Sequence, residues 1–247
     1  MEAQFDIRRV SLRFEELEKS GLELSGEEVM HIIGARRLRI GDELVLMNGQ
    51  GKMAHCALEE ANKKTSTVKL RISLIAEVEP PRKEIILACA LPKGDRLSTM
   101  LDMACQLGMT QFQPLVFDHS VSRWNDKLAK RCERILIEAS KQSKSARVPK
   151  IRPICTYSEL LAANTGRQVL TLLADQFGRP ASAYADELEK FDTLYVLVGP
   201  EGGLSEEEIK LAHQHKVAML RLACAILRIE TAAVAAVTAL QGALTTP

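Results

Sequence analysis

From residue 84 onward the chain alternates short apolar runs with stretches of helical periodicity, and that alternation leaves few architectures open. The runs at 85–90, 112–117, 169–174, 194–198 and 217–222 are largely apolar and do not alternate with polar residues. Strands of that kind must be covered on both faces, so they predict a mostly parallel sheet between layers of helices. Helices are expected over 95–107, ending at Gly108, over a basic stretch from about 125 to 144, over 206–215 and over 231–244.

The first 76 residues read differently. Residues 43–47 are apolar-rich, Asn48-Gly49 is a hairpin signal, and 53–58 resumes the strand pattern, so a small barrel or sheet fits. Pro80-Pro81 lies between charged residues in a stiff segment that can neither continue a helix nor pair inside a sheet. The expected organisation is therefore a β domain over 1–76, a linker over 77–84 and an α/β domain over 85–247. No internal repeat or low-complexity tract is visible.

Composition removes several classes of function. At 247 residues and 46% apolar content the chain can bury a core and is not disordered, and its longest small-apolar stretch, 232–239, is too short to span a bilayer. The start Met1-Glu2-Ala3-Gln4-Phe5-Asp6 lacks the basic beginning and apolar run of a secretory signal, which points to the cytoplasm. The six cysteines form no pair two residues apart and the five histidines add no ligand spacing, so free thiols and no metal are expected. Net charge is only +1, yet between Arg123 and Arg152 ten basic residues face three acidic ones. That stretch is either a phosphate-contacting surface or a solvated helix face.

Two segments carry candidate chemistry. In the first, the apolar run at 194–198 enters Gly199-Pro200-Glu201-Gly202-Gly203, after which Ser205 and Glu208 form a capping box that starts a helix. Glycines there let a backbone approach a ligand at the carboxyl edge of a parallel sheet. The turn has neither the Gly-Lys-Ser/Thr ending of a phosphate loop nor the spacing of a dinucleotide fingerprint, and it could also be a tight turn alone. In the second, Arg228, Glu230 and Thr231 lie between a strand and an Ala-rich helix. There they could serve chemistry or simply cap a helix.

Taken together, the order strand, Gly199-Pro-Glu-Gly-Gly203, helix, strand, Ile226-Leu-Arg-Ile-Glu-Thr-Ala232 resembles the C-terminal half of the SPOUT methyltransferases, in particular the ribosomal RNA small-subunit methyltransferase E family. Leu91-Pro-Lys-Gly-Asp-Arg96, Leu107-Gly108, Glu138-Ala139 with Gln142-Ser143, Val148-Pro149, and Arg37 and Gly41-Asp42 ahead of the 48–51 turn fall in the family's order. The resemblance implies a PUA-like barrel followed by a SPOUT α/β domain with a C-terminal trefoil knot. It also implies a homodimer that uses S-adenosylmethionine to methylate N3 of a uridine in 16S ribosomal RNA within the small ribosomal subunit. The residues it points to for the donor are Leu173, Gly199, Pro200, Glu201, Gly202, Gly203, Leu222, Ala223, Ile226 and Leu227. For chemistry it points to Arg228 and Glu230, and for RNA to Arg37, Lys93, Arg96, Arg123, Lys141, Lys144 and Arg147.

Several polar positions depart from the family pattern. Ala223-Cys224-Ala225 stands for Gly-Pro-Arg, His119 and Ser145 for arginines, Met103 and Gln106 for a lysine and a glutamate, and Gly34 for a frequent arginine. These leave two rival readings: a non-catalytic ribosome-binding or assembly protein on the same scaffold, and a SPOUT enzyme with another RNA acceptor.

Overall fold

The computed structural model describes residues 3–6, 22–25, 38–62 and 64–244. Arg37 and Gly34 lie outside them. Two compact units are present, Met1–Pro80 with Ser140–Val148, and Pro81–Ala139 with Pro149–Pro247.

The first unit is built on a five-stranded sheet: β1 (Ala3–Asp6), β2 (Leu22–Ser25), β3 (Glu43–Met47), β4 (Lys52–Asn62) and β5 (Thr67–Glu77), in the order β1-β3-β4-β5-β2. Only β1 and β3 run parallel. Along β4, Ala54, Cys56 and Leu58 are buried and the residues between them are not, the period-2 signature of a half-buried strand. The β3–β4 connection spans 48–51, two residues longer than the shortest hairpin, because Asn48 Oδ1 accepts the amides of Gln50 (2.8 Å) and Lys52 (3.0 Å) while Gly49 and Gly51 take positive φ. The segment 140–148 docks on this turn. Gly51 N donates to Ala146 O, Val148 N donates to Gly49 O, and the Arg147 guanidinium donates to the carbonyls of Gln50 (2.5 Å) and Val78 (2.7 Å). A Cβ on Gly51 would collide with that guanidinium, which explains the glycine.

The second unit is the parallel sheet that the apolar runs predict. Its strands are β6 (Glu84–Ala90), β7 (Gln111–Val116), β8 (Lys150–Ile151), β9 (Cys155–Thr156), β10 (Val169–Arg179), β11 (Thr193–Val198) and β12 (Ala218–Leu220). They lie in the order β12-β10-β11-β6-β7-β8, with β9 also on β7, and every pair is parallel. The helices are α1 (Arg96–Gln106), α2 (Asp126–Gln142, whose last turn falls in the first unit), α3 (Tyr157–Asn164), α4 (Ala185–Lys190), α5 (Glu206–Gln214) and α6 (Ile229–Leu244). The core strands β6 and β11 are almost wholly buried. From the edge strand β12 the chain returns to the middle, where α6 packs on α1, α4, β6 and β11 through Ala232, Ala233, Ala236, Val237 and Leu240.

Some expectations shift. The strand predicted at 169–174 runs on to Arg179, the closing helix begins at Ile229, and α3 and α4 have no counterpart in the sequence reading. α3 escapes notice because its apolar residues follow no single stripe; it is set by a capping box in which Thr156 Oγ1 accepts the Glu159 amide (3.2 Å) and Glu159 accepts the Thr156 amide (2.8 Å).

Candidate active site

The carboxyl ends of β10, β11 and β12 open onto one cavity of about 770 Å³ in the second unit. Its walls come from the 173–177 segment, the 198–204 turn, the outer face of α5, the 219–227 segment and the start of α6. All ten residues singled out for the methyl donor line it: Leu173, Gly199, Pro200, Glu201, Gly202, Gly203, Leu222, Ala223, Ile226 and Leu227.

The glycine turn has the form a backbone-contacting site needs. Gly203 has φ +74° and nothing within 4 Å of where a Cβ would stand, so it is bare backbone facing open space. The helix after it starts on the predicted capping box, with Ser205 N donating to Glu208 Oε2 (2.8 Å) and Glu208 N to Ser205 Oγ (3.2 Å). A second loop, after β7, holds this turn. The other oxygen of the buried Glu208 carboxylate accepts the Asp118 amide (2.9 Å), Ser205 Oγ donates to Asp118 Oδ2 (2.5 Å), and His119 Nδ1 lies 3.0 Å from Gly203 O. The His119 Cβ also stands 3.1 Å from the Cβ position of Gly202, so the two chains touch.

Beside the cavity, whose wall includes Glu201 but neither Arg96 nor Glu230, three side chains share charge. Arg96 Nη1 lies 3.3 Å from Glu201 Oε1 and 3.8 Å from Glu230 Oε2, joining the glycine turn to the first turn of α6. Glu230 is only 15% exposed, and its Oε2 is buried without a hydrogen-bond donor. Nearby, burial pushes the Cys89 thiol far above its ordinary range, with the Glu201 and Glu230 carboxylates adding to the rise. Arg228 is exposed at the start of α6, where its carbonyl accepts the Ala232 amide (2.8 Å); its side chain is not part of the cavity wall. None of residues 223–225 has positive φ, so Ala223-Cys224-Ala225 can follow this path without glycine.

The residues proposed for RNA are dispersed. Lys93, Arg123 and Lys144 are exposed, Lys141 is half-buried, and Arg96 pairs with the two carboxylates just described. The Arg147 guanidinium is engaged with the carbonyls of Gln50 and Val78. Instead, α2 presents Lys127, Lys130, Arg131 and Arg134 on exposed positions at helical spacing. Cys56, Cys89, Cys105 and Cys132 are buried, Cys155 is intermediate, Cys224 is exposed, and none of the six is in a disulfide. Among the described residues no three His, Cys, Asp or Glu side chains gather as a metal site, and no helix is long and apolar enough to cross a membrane.

Sequence reasoning missed the part played by Asp118 and Glu208 across the sheet edge, and it missed Phe177, which also lines the cavity. Asp118 and Glu208 are ninety residues apart and carry no local signal of their meeting. Phe177 did have one, a lone aromatic followed by glycine at a strand end.

Known proteins match this chain over most of its length. A family model described as an RNA methyltransferase domain matches residues 79–241, and one described as an RNA methyltransferase PUA domain matches residues 24–71. The Bacillus subtilis (strain 168) ribosomal RNA small subunit methyltransferase E is 29% identical over 226 residues, covering 88% of each chain. The crystal structure of the Neisseria gonorrhoeae ribosomal RNA small subunit methyltransferase E bound to S-adenosyl methionine is 25% identical, covers 98% of each chain and superposes with a TM-score of 0.84. A putative methyltransferase from Legionella pneumophila in complex with the same cofactor is 26% identical, again over 98% of each chain, with a TM-score of 0.82.

Proposed function

Because this chain belongs to the RNA methyltransferase domain family, we propose that it transfers a methyl group from S-adenosylmethionine to N3 of a specific uridine in 16S ribosomal RNA. The observation that carries the reading is the convergence of all ten donor-site candidates on one cavity whose glycine turn leaves the side-chain position of Gly203 open. A cavity of about 770 Å³ is ample for a nucleoside-sized ligand. The names and bound cofactor of the relatives described above support small-subunit ribosomal RNA as acceptor and S-adenosylmethionine as donor.

When bound, S-adenosylmethionine supplies a methyl group already activated by its sulfonium charge. The protein's work is then alignment and proton management. The glycine turn and the 222–227 segment hold the donor through main-chain groups, and the Asp118–His119 loop keeps that turn in place. Uridine N3 carries a proton at neutral pH. As the bond from N3 to the methyl carbon forms and the carbon–sulfur bond breaks, Glu230 accepts that proton and Arg228 stabilises negative charge on the uracil oxygens. Glu230 Oε2, which has the Arg96 guanidinium at 3.8 Å but accepts no hydrogen bond, supports the first role as an acceptor with spare capacity. The exposure of Arg228 next to Leu227 of the cavity wall supports the second role.

The same reading includes a cytoplasmic homodimer acting on the small ribosomal subunit, RNA contacts from Lys93, Arg123, Lys141 and Lys144, and a C-terminal trefoil knot. The return of the chain from edge strand β12 to α6, which packs on β6 and β11, supports the last of these. Mass mapping of 16S ribosomal RNA from a deletion strain tests the function: one methylated uridine should be lost, and an unchanged methylation map would refute the reading. Calorimetry should show S-adenosylmethionine binding to the purified chain.

A further inference from the structure

Two large apolar side chains are nearly bare, Phe177 and Ile226, each 87% exposed, and both stand on the wall of the cavity. Phe177 is the more unusual, because the backbone beneath it is tightly fixed. In the β10–β12 pairing, Leu220 lies opposite both Ala174 and Arg179, so residues 175–178 are extruded from the ladder. Bulges of this kind re-aim side chains, often beside active sites.

The extrusion is held on both sides of Phe177. Arg221 N donates to Arg179 O (2.9 Å), and Tyr184 Oη donates to Met219 O (2.7 Å) behind it. Gly178 is pressed so close to the backbone of Met219 and Leu220 that a Cβ would collide with it. Asp175 Oδ1 accepts the Phe177 amide (2.7 Å), closing a turn that points the residue outward. An aromatic ring placed in water by a rigid backbone costs hydrophobic free energy in the isolated chain, and the cost is recovered only when something flat covers it.

We propose that Phe177 is the stacking platform for a nucleobase of the single-stranded RNA segment that carries the target uridine. The inference rests on the RNA methyltransferase reading above. A base about to react at the cavity must leave its own stack, and proteins that bind splayed bases replace the lost stacking with an aromatic face. Phe177 offers that face at the wall of the donor cavity, on the end of the strand that also contributes Leu173 to it.

The test compares the full-length wild type with Phe177→Ala, Phe177→Leu and Phe177→Trp. With unmethylated small subunits as substrate, the Ala and Leu variants should raise KM for RNA about tenfold or more, well beyond any change in S-adenosylmethionine affinity, and Trp should retain the wild-type KM. Failure of Leu with success of Trp separates stacking from mere apolar packing. A single-stranded 5-iodouridine oligomer irradiated with the wild type should crosslink to the peptide containing Phe177, and Phe177→Leu should abolish that product. Three results would overturn the proposal: a KM for RNA unchanged in Phe177→Ala, a donor affinity that falls in step with KM, or dissociation of a dimer by Phe177→Ala with RNA binding intact. A wild type that crosslinks at Phe177 yet transfers no methyl group would refute the proposed reaction and leave the platform standing.

Discussion

The imidazole Nδ1 of His119 lies 3.0 Å from the carbonyl oxygen of Gly203, which ties the loop after β7 to the glycine turn after β11. Asp118 completes the tie by accepting from Ser205 and donating its amide to Glu208. Asp118→Ala removes the side-chain part of this brace, which lies outside the cavity wall. Donor affinity should fall about tenfold, the equivalent of one lost hydrogen bond, as measured by calorimetry. A donor affinity equal to wild type would mean that the turn is rigid without its neighbour.

Gly203→Val tests the bare backbone. At φ +74° a β-branched residue is strained by roughly 1–2 kcal/mol, and its side chain enters the open space beside the turn. Donor affinity should drop by more than that strain alone predicts, so a thermal scan and a calorimetric titration on the same sample should diverge. If both fall by the same free energy, the donor does not lie against Gly203.

Arg228→Ala should lower turnover on small subunits by roughly a hundredfold or more with donor affinity little changed, as expected for loss of one group that stabilises a developing anion. Glu230→Gln should show a comparable loss that is partly rescued as pH rises and free uridine anion becomes available. Loss of stability with no change in the pH profile would instead mark Glu230 as a helix-capping residue.

Lys144 and Arg147 are only three residues apart and should behave differently. Lys144 is exposed, so Lys141→Glu with Lys144→Glu should weaken RNA binding and flatten its dependence on salt. Arg147→Met strands the carbonyls of Gln50 and Val78 and should destabilise the first unit by about 2–3 kcal/mol in denaturant unfolding. Equal stability of Arg147→Met and wild type would contradict the clamp.

Alkaline pH should reveal the buried thiols. Burial raises Cys56 from 9.0 to about 12 and Cys132 from 9.0 to about 11. Between those values the unfolded chain has lost protons that the folded chain keeps, so the stabilisation is complete below pH 9 and declines as pH rises through the folded values. The slope is up to about 1.4 kcal/mol per pH unit for each thiol. The double variant Cys56→Ala, Cys132→Ala should lose less stability than wild type between pH 9 and 11, whatever its stability at pH 7.

Much of this was legible in the chain itself. The apolar runs at 85–90 and 194–198 mark β6 and β11 because the middle of a parallel sheet has no polar face, and Ser205 with Glu208 marks the start of α5 within one residue. The glycine turn and the 222–227 segment are each local in sequence, and that they line one cavity was what the family resemblance implied. Relations made by tertiary folding were not legible. Arg147 reads as one more charge in a basic run, and only the approach of 140–148 to the 48–51 turn makes it a clamp. Arg96 likewise reads as a surface cation until Glu201 and Glu230 are brought to it. The extension of β10 to Arg179 was hidden because its last residues pair around a bulge and not in a continuous ladder.

The return of the chain from β12 to the middle of the sheet has a consequence for biosynthesis. The cavity takes its walls from residues 173 through 232, and α6, the last described element, supplies Ile229 and Ala232 before packing on β6 and β11. Residues through 232 must therefore have left the ribosome before the pocket can exist, and the slow closure of such distant contacts comes after that. Products truncated ahead of α6 lack Ile229 and Ala232 of the cavity wall and the helix that covers β6 and β11. Any quality control that recognises an unfinished copy of this protein has a simple mark to read, an uncovered apolar face on β6 and β11 where the closing helix should lie.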